Sequence, residues 1–186
     1  LGDVYKRQGI GNTTTSAAMA AAMLRCDVAT VTGRGAGLND SGLEKKISVI
    51  ESAIEKYDLY NKDTFEILMT VGGLDIAGLV GVCIGGALYH IPVVLDGVIS
   101  MVSALAAGRL LSGVTDFIIS SHEGREPAVA LLCEALSVRP VIRASLALGE
   151  GTGAVMMFAL LDMALSVYKG RTTFDDISVS QYERYV

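Results

Sequence analysis

The sequence lacks several features that would assign it to a specialised class of protein. It has no tryptophan, three prolines and two histidines among its 186 residues. Its net charge of −5 argues against the basic surface that nucleic-acid binding requires, so we expect no nucleic-acid partner. With so few histidines and no His-Glu-x-x-His motif, no metal site is predicted.

Cysteine is also sparse. Cys26, Cys83 and Cys133 are odd in number, far apart and in no spacing typical of a metal site. We expect free and mostly buried thiols, which are typical of a reducing compartment, and therefore a cytoplasmic protein.

Long apolar runs are few, although 51% of the residues are hydrophobic. The best candidate for a membrane span is the uncharged run from Ile76 to Tyr89, which is shorter than the roughly 20 residues that a bilayer requires. Runs of this length fit buried parallel strands and the helices that cover them. We therefore expect no membrane partner.

The first eight residues differ in character from the rest of the chain. Residues 1–8 read LGDVYKRQ, begin without methionine and resemble a translated sequencing-adapter scar. We therefore expect one α/β domain over residues 9–186, truncated on its N-terminal side.

Short apolar strands and helical segments alternate along the chain. Strands are predicted at Val28–Val31, Pro92–Gly97, Phe117–Ser120 and Pro140–Ile142, with helices between them. One of these helices is predicted to be capped by Asp40 or Ser41 and to run to about Tyr57, and another is predicted at Ala128–Leu136. This alternation predicts an α/β fold with a mostly parallel sheet. Ligands of such sheets bind beyond the carboxyl ends of the strands, where Gly33, Asp96, His122 and Glu150 are all expected.

Two glycine-containing turns are candidate anion sites. Residues 9–16, GIGNTTTS, open a helix whose free N–H groups suit an anion, although this octet taken alone is more typical of an N-cap with spare hydroxyls. Gly33-Arg-Gly-Ala-Gly37 resembles a phosphate-binding turn but matches neither nucleotide fingerprint. Lys45 and Lys46 follow closely, and one of them is a candidate for phosphate contact, although solvated surface lysines are the commoner case.

A third glycine turn, Leu148-Gly-Glu-Gly-Thr-Gly-Ala154, contains a single acid, Glu150. One hypothesis is a general base, whose pKa apolar walls would raise into a useful range. The other is an acid near the positive end of a helix dipole, with Thr152 as N-cap. The apolar run from Val155 to Leu161 predicts a buried helix after the turn.

Two other classes of function are alternatives to a site built around a general base. Ser100, His122 and Asp96 do not make a convincing hydrolase triad, because the chain has no Gly-x-Ser-x-Gly elbow. A module that binds a nucleotide or a partner without catalysis remains an alternative, although packing alone does not require glycine and acid at strand ends.

Five segments together resemble the nicotinate-nucleotide–dimethylbenzimidazole phosphoribosyltransferase family of cobalamin nucleotide synthesis. They are residues 9–16 (GIGNTTTS), 33–37 (GRGAG), 71–77 (VGGLDIA), 92–97 (PVVLDG) and 148–154 (LGEGTGA), in the order of the family. The expected architecture is three-layer and Rossmann-like, with helices flanking the sheet and the C-terminal helices in a small helical subdomain.

The resemblance implies transfer of 5-phosphoribosyl from nicotinate mononucleotide to 5,6-dimethylbenzimidazole or a similar base. The products would be nicotinate and α-ribazole 5′-phosphate, and no cofactor is implied. Glu150 would accept the ring proton of the incoming base. The residues implied as substrate contacts are Gly9, Gly33, Gly35, Gly37 and Lys46 at phosphate and ribose, Asp75, Asp96 and Gly97 at ribose or nicotinate, and Leu148 at the base.

The resemblance also implies a homodimer, and it contains one departure. Family members carry a second acid directly before Gly-Ile-Gly-Asn-Thr, where this sequence has Arg7 and Gln8. The upstream region that supplies much of the base pocket precedes Gly9 in the family. We therefore expect residues 1–186 alone to be poorly active, and the sequence leaves the physiological base open.

Overall fold

The structure is a computed structural model that describes residues 11–146, 149–170 and 173–180. The helices and strands, in chain order, are α1 (Asn12–Leu24), α2 (Val28–Val31), α3 (Asp40–Tyr57), α4 (Thr64–Val71), α5 (Leu74–Leu88), β1 (Val93–Leu95), α6 (Val98–Leu110), β2 (Ile118–Ser120), α7 (Ala128–Leu136) and α8 (Thr152–Gly170). Short 3₁₀ turns lie at Leu59–Asn61 and Val114–Phe117.

Helices α1 and α6 form the centre of the core. Every residue from Ser16 to Met23 is buried, as is every residue from Met101 to Ala107. Alanine is the most frequent residue in both stretches. Its small side chain lets neighbouring helices approach closely, and its helix propensity is high. Around this centre pack α4, α5 and α7.

The chain builds one parallel strand pair in its described part. β1 and β2 pair in parallel, with Val93 opposite Ile118 and Leu95 opposite Ser120. Helix α6 makes the crossover between them, as a parallel connection requires. The fold is therefore α/β, as predicted, but it is rich in helix and its sheet is small.

Two predicted strands differ in the structure. Residues Val28–Val31 form the short helix α2, in which Val28 and Val31, three positions apart, face the core. Four residues cannot specify a period, which is why the prediction of a strand was wrong. Of Pro140–Ile142, only Ile142 makes a strand contact, an isolated parallel bridge to His122.

The helix starts follow from local chemistry. Asp63 accepts a hydrogen bond from the Glu66 backbone N–H at 2.8 Å, and the Glu66 carboxylate accepts one from the Asp63 N–H at 3.1 Å. This reciprocal capping box fixes the start of α4. Asn39 caps α3 through the Gly42 N–H, one residue before the caps predicted for this helix.

Helix α8 differs most from its prediction. Its apolar run was expected to be buried, yet only Gly153 and Met157 are buried among the residues of the helix. Among the described residues it is also the one helix long and apolar enough to cross a membrane, by length and composition only. Of the predicted helical subdomain, the described residues contain α8 and a turn within 173–180.

Candidate functional site

The carboxyl ends of the two strands bring together the segments that follow them. Asp96 comes directly after β1, while Ser121 and His122 follow β2. The Ser121 hydroxyl lies 3.4 Å from the Asp96 carbonyl oxygen, which it faces as a donor. This edge of the sheet is where ligands of parallel α/β folds bind.

The Asp96 carboxylate holds the glycine turn that contains Glu150. Its Oδ2 accepts a hydrogen bond from the Gly151 N–H at 3.0 Å, and its Oδ1 accepts one from the Gly153 N–H at 2.9 Å. The Ala154 N–H lies 3.4 Å from the same Oδ1. Asp96, predicted to orient ribose or nicotinate, therefore caps the start of α8, whose first N–H groups otherwise lack helical partners.

Glu150 itself lies at the tip of this turn, and its side chain is exposed. Gly149, Glu150 and Gly151 all have positive φ, of 73°, 57° and 83°. This left-handed course turns the acid outward. The apolar walls expected around Glu150 are not formed by the described residues, and Leu148, the predicted base contact, lies outside them.

A second cluster surrounds the N-terminus of α1. The Lys46 ammonium, on a side chain from α3 that is only 6% exposed, donates to the Thr13 hydroxyl at 3.0 Å and to the Gly33 carbonyl at 2.8 Å. Gly11 precedes α1 and provides no side-chain cap. The N–H groups of the first turn of α1, which have no partner within the helix, and a buried cation at one point make this cluster suited to an anion.

The loop after α2 is shaped by close contacts. A Cβ at Gly33 would overlap the Glu126 carboxylate, and one at Gly35 would lie 2.8 Å from the Thr13 hydroxyl. Gly35 also has a φ of 54°, a conformation that glycine adopts without penalty. The Arg34 guanidinium bonds Asp40 at 2.5 Å and the Leu38 carbonyl at 2.9 Å, which braces the far side of the loop.

Asp75 and Gly97 also have defined positions. Asp75, in the first turn of α5, accepts a hydrogen bond from the Asn12 amide at 3.1 Å and so lies beside the start of α1. Gly97 precedes α6, and its carbonyl accepts a hydrogen bond from the Ser100 hydroxyl at 2.7 Å. Asp75 therefore belongs with the Lys46 cluster, whereas Gly97 follows Asp96.

The segment from residue 121 to 127 links the two clusters. At one end the His122 ring packs against Gly153, and at the other the Glu126 carboxylate packs against Gly33. Residues 122 and 126 are four positions apart, so their Cα atoms lie at most about 14 Å from each other. Gly9, the remaining predicted contact, lies outside the described residues, as does the octamer 1–8.

Sequence reasoning missed three residues of this site. Asn12, Thr13 and Glu126 make the contacts that join Asp75, Lys46 and Gly33 to their surroundings. Asn12 and Thr13 lie inside the glycine-containing motif 9–16, but nothing local identifies their partners. Of the three, Glu126 is the one whose place in the sequence could have drawn attention to it, because it is an acid directly before Pro127 at the start of α7.

Lys46 should make stability depend on pH in an alkaline window. Burial lowers the pKa of Lys46 from its ordinary value of 10.5, and the negative charge of Glu126 opposes that lowering. Between the lowered pKa and 10.5 the unfolded chain binds more protons, so stability rises with pH there. We expect the wild-type chain to gain stability relative to Lys46→Met across this window, measured by urea denaturation. A constant difference between the two proteins would contradict this.

A separate cavity lies at the other end of α1. It has a volume of about 430 Å³, and it is lined by residues of α1, α4 and α6, among them Arg109, and by Arg25 and Lys62 beside these helices. Arg109 donates to the Met23 carbonyl at 2.6 Å, so this cation already serves the C-terminus of α1. Within the described part of the chain, none of the predicted site residues lines this cavity.

Comparison with known proteins identifies what the chain is similar to. A family model described as Phosphoribosyltransferase matches residues 6–179. The nicotinate-nucleotide–dimethylbenzimidazole phosphoribosyltransferase of Acetivibrio thermocellus is 42% identical over 178 residues, which are 96% of this chain and 51% of that protein. The protein of the same name from Desulfotalea psychrophila is 44% identical over 177 residues, with 95% and 50% covered.

Solved structures agree with these relatives. The crystal structure of CobT from Thermus thermophilus is 34% identical, with a TM-score of 0.85 over 92% of this chain and 51% of that chain. A second crystal structure, of the nicotinate-nucleotide–dimethylbenzimidazole phosphoribosyltransferase of that organism, gives a TM-score of 0.83 over 92% and 50%. The chain spans about half the length of the curated relatives it matches. Because the family model covers nearly all of its residues, the chain belongs to the phosphoribosyltransferase family that this model describes.

Proposed function

We propose that the protein transfers 5-phosphoribosyl from nicotinate mononucleotide to 5,6-dimethylbenzimidazole or a related base, in assembly of the cobalamin nucleotide loop. The observation that carries this proposal is the 42% identity, over 96% of the chain, to a relative whose name states that activity. The products are nicotinate and α-ribazole 5′-phosphate.

The Lys46 cluster is the proposed phosphate site. A phosphate at the start of α1 meets the free N–H groups of the helix, its dipole and the Lys46 ammonium, which already points at Thr13 and Gly33. Gly35 and Gly37, both with positive φ, let the loop backbone approach the ribose closely. Gly9, Asp75 and Gly97 stay predictions as further contacts of the nucleotide. Both carboxylate oxygens of Asp96 already accept N–H groups of the turn before α8, so no nucleotide contact is proposed for Asp96.

Glu150 is the proposed proton acceptor. Nicotinate is already a cationic leaving group in the substrate, so its departure needs little acid assistance. The base must lose its ring N–H proton as its other nitrogen attacks C1′, and one carboxylate suffices for that transfer. Attack from the face opposite nicotinate inverts the anomeric carbon, which gives an α product from a β substrate. Leu148 is proposed to pack on the planar base.

The experiment is a single-turnover reaction of residues 1–186, in excess, with nicotinate mononucleotide and dimethylbenzimidazole. We expect equal amounts of nicotinate and α-ribazole 5′-phosphate by chromatography, and we propose that the turnover is slow. If calorimetry shows that nicotinate mononucleotide binds but no nicotinate is formed, the proposal is overturned and the non-catalytic binding module is favoured.

A homodimer in the cytoplasm is proposed as the working state. The exposed side chains of α8 include Val155, Phe158 and Met163, an apolar surface that a second copy would cover. Burial raises the pKa of the Cys83 thiol to about 11, and all three cysteines are free, which suits a reducing compartment. The three-layer, Rossmann-like arrangement is likewise proposed for the whole protein, to which this chain contributes β1 and β2.

The dimer proposal predicts that a charge on α8 separates the copies. Phe158→Asp should convert dimer to monomer in analytical ultracentrifugation, because a carboxylate would be buried unpaired in the interface. Phe65→Asp, at a similarly exposed position on α4, is the matched control and should leave the dimer intact. A monomeric wild type, or flotation of the wild type with phosphatidylcholine vesicles, would contradict the proposal.

A further inference from the structure

His122 has a position that none of the proposed steps uses. It is 5% exposed, and its Nδ1 lies 3.0 Å from the Ser121 hydroxyl. Its ring lies so close to Gly153 that a Cβ at that position would overlap it. The φ of Gly153 is not in the left-handed region, so contact with His122, and not backbone conformation, is what requires glycine there.

Asp96 reaches the same turn from the neighbouring strand. Its carboxylate accepts hydrogen bonds from the N–H groups of Gly151 and Gly153, with Ala154 at the edge of range. Asp96 follows β1 and His122 follows β2, so two paired strands hold the start of α8 at once. Both contacts converge on Gly153, three residues after Glu150.

The turn needs such support, because three consecutive residues from Gly149 to Gly151 have left-handed φ values. Two of them are glycine, but Glu150 is not, and a non-glycine residue in this conformation is held only where its surroundings determine it. Among the described residues outside the turn, Asp96 is the one that accepts hydrogen bonds from it.

We infer that Asp96 and His122 are positioning residues that together fix Glu150 at the site, a role that rests on the proposed function of Glu150. Asp96 anchors the backbone directly after the turn tip, at Gly151 and Gly153, and His122 closes the space behind Gly153. A general base must be held within a fraction of an ångström, since a misplacement of about 1 Å can cost about a hundredfold in rate. The Lys46 cluster is separate, so nucleotide binding should not depend on either residue.

The first test is Asp96→Asn, which keeps the size of the side chain but removes one acceptor oxygen and the charge. Amide hydrogen exchange at Gly151 and Gly153, followed by NMR, should accelerate by about tenfold or more, the scale of one lost hydrogen bond to a charged group. Exchange in α3, which is remote from the turn, is the internal control. Unchanged exchange at both glycines would overturn the inference for Asp96.

The second test uses the contact between His122 and Gly153. Gly153→Ala should lower the unfolding midpoint in urea, and adding His122→Ala should recover part of that loss, because the space that the new Cβ needs is then empty. Gly78→Ala, where a Cβ on α5 meets no atom within 4 Å, is the matched control and should not be destabilised. Additive losses in the double variant would overturn the inference for His122.

Kinetics separate positioning from simple support of the fold. Asp96→Asn and His122→Asn should lower kcat for nicotinate formation while leaving KM for nicotinate mononucleotide within about twofold. Equal loss in both parameters, or unchanged kcat despite faster exchange, would overturn the inference. A wild type that forms no nicotinate would overturn the proposed function, and the exchange and double-variant results would still decide whether the two residues hold the turn.

Discussion

Glu150→Gln should reduce nicotinate formation by about two orders of magnitude or more, the usual scale for a lost general base. Glutamine has nearly the same shape as glutamate, but its amide cannot take the ring proton of the attacking base. The substitution leaves Gly149 and Gly151, and the Asp96 contacts with Gly151 and Gly153, unchanged. Calorimetric binding of nicotinate mononucleotide should therefore match that of the wild type.

The matched control for this prediction is Glu134→Gln. Glu134 is exposed on α7, so its loss of charge reproduces the change in net charge without touching the turn. We expect normal turnover from it. If Glu150→Gln retains turnover within about twofold of the wild type, Glu150 is not the proton acceptor.

The exposure of Glu150 makes this prediction informative. A carboxylate surrounded by water is a weak general base at neutral pH. Any desolvation must therefore come from the bound base and from parts of the protein outside the described residues. Titration calorimetry with dimethylbenzimidazole measures whether the base still binds. We expect equal base binding by wild type and Glu150→Gln.

Local signals in the sequence were enough to predict most of the helices. α7 spans Ala128–Leu136, as predicted, and α3 ends at Tyr57, because apolar periodicity and capping residues act over a few positions. The prediction of a strand at Val28–Val31 was wrong, because four residues contain too little pattern to distinguish a strand from a helix. Glycine turns were located from composition alone, because few other residues tolerate a φ such as the 109° of Gly37.

The contacts that build the site could not be predicted in this way. The hydrogen bond from Asn12 to Asp75 joins residues 63 apart, and the one from Gly151 to Asp96 joins residues 55 apart. The sequence predicted Asp96 at the end of a strand, but it did not show whether the carboxylate there binds a ligand or a neighbouring backbone N–H group. The prediction that α8 is buried was also wrong. An apolar pattern shows that a helix face has to be covered, but it does not show which part of the protein covers it.

Lys46→Met should weaken the binding of nicotinate mononucleotide by about ten- to a hundredfold, the range of one or two lost hydrogen bonds to a charged group. The Lys46 ammonium is held by Thr13 and Gly33 at the start of α1, where a phosphate would lie. Methionine has a similar length and fills the same buried space, but it brings neither charge nor donor. The measurement is calorimetric titration with the nucleotide.

The neighbouring residue supplies the control. Lys45 is exposed on the same helix, so Lys45→Met removes the same charge from the protein without entering the cluster. We expect its nucleotide affinity to stay within about twofold of the wild type. Equal weakening by both variants would mean that long-range charge, and not the buried ammonium, attracts the nucleotide.

Proton uptake provides an independent check on the same contact. Burial lowers the pKa of Lys46 in the free protein, and a phosphate beside the ammonium would raise that pKa again. In buffers between the lowered pKa and 10.5, nucleotide binding should therefore take up protons, and affinity should fall as the pH rises. The uptake is measured by comparing binding enthalpies in buffers of different ionisation enthalpy. Lys46→Met should take up fewer protons, and equal uptake by both proteins would place the phosphate elsewhere.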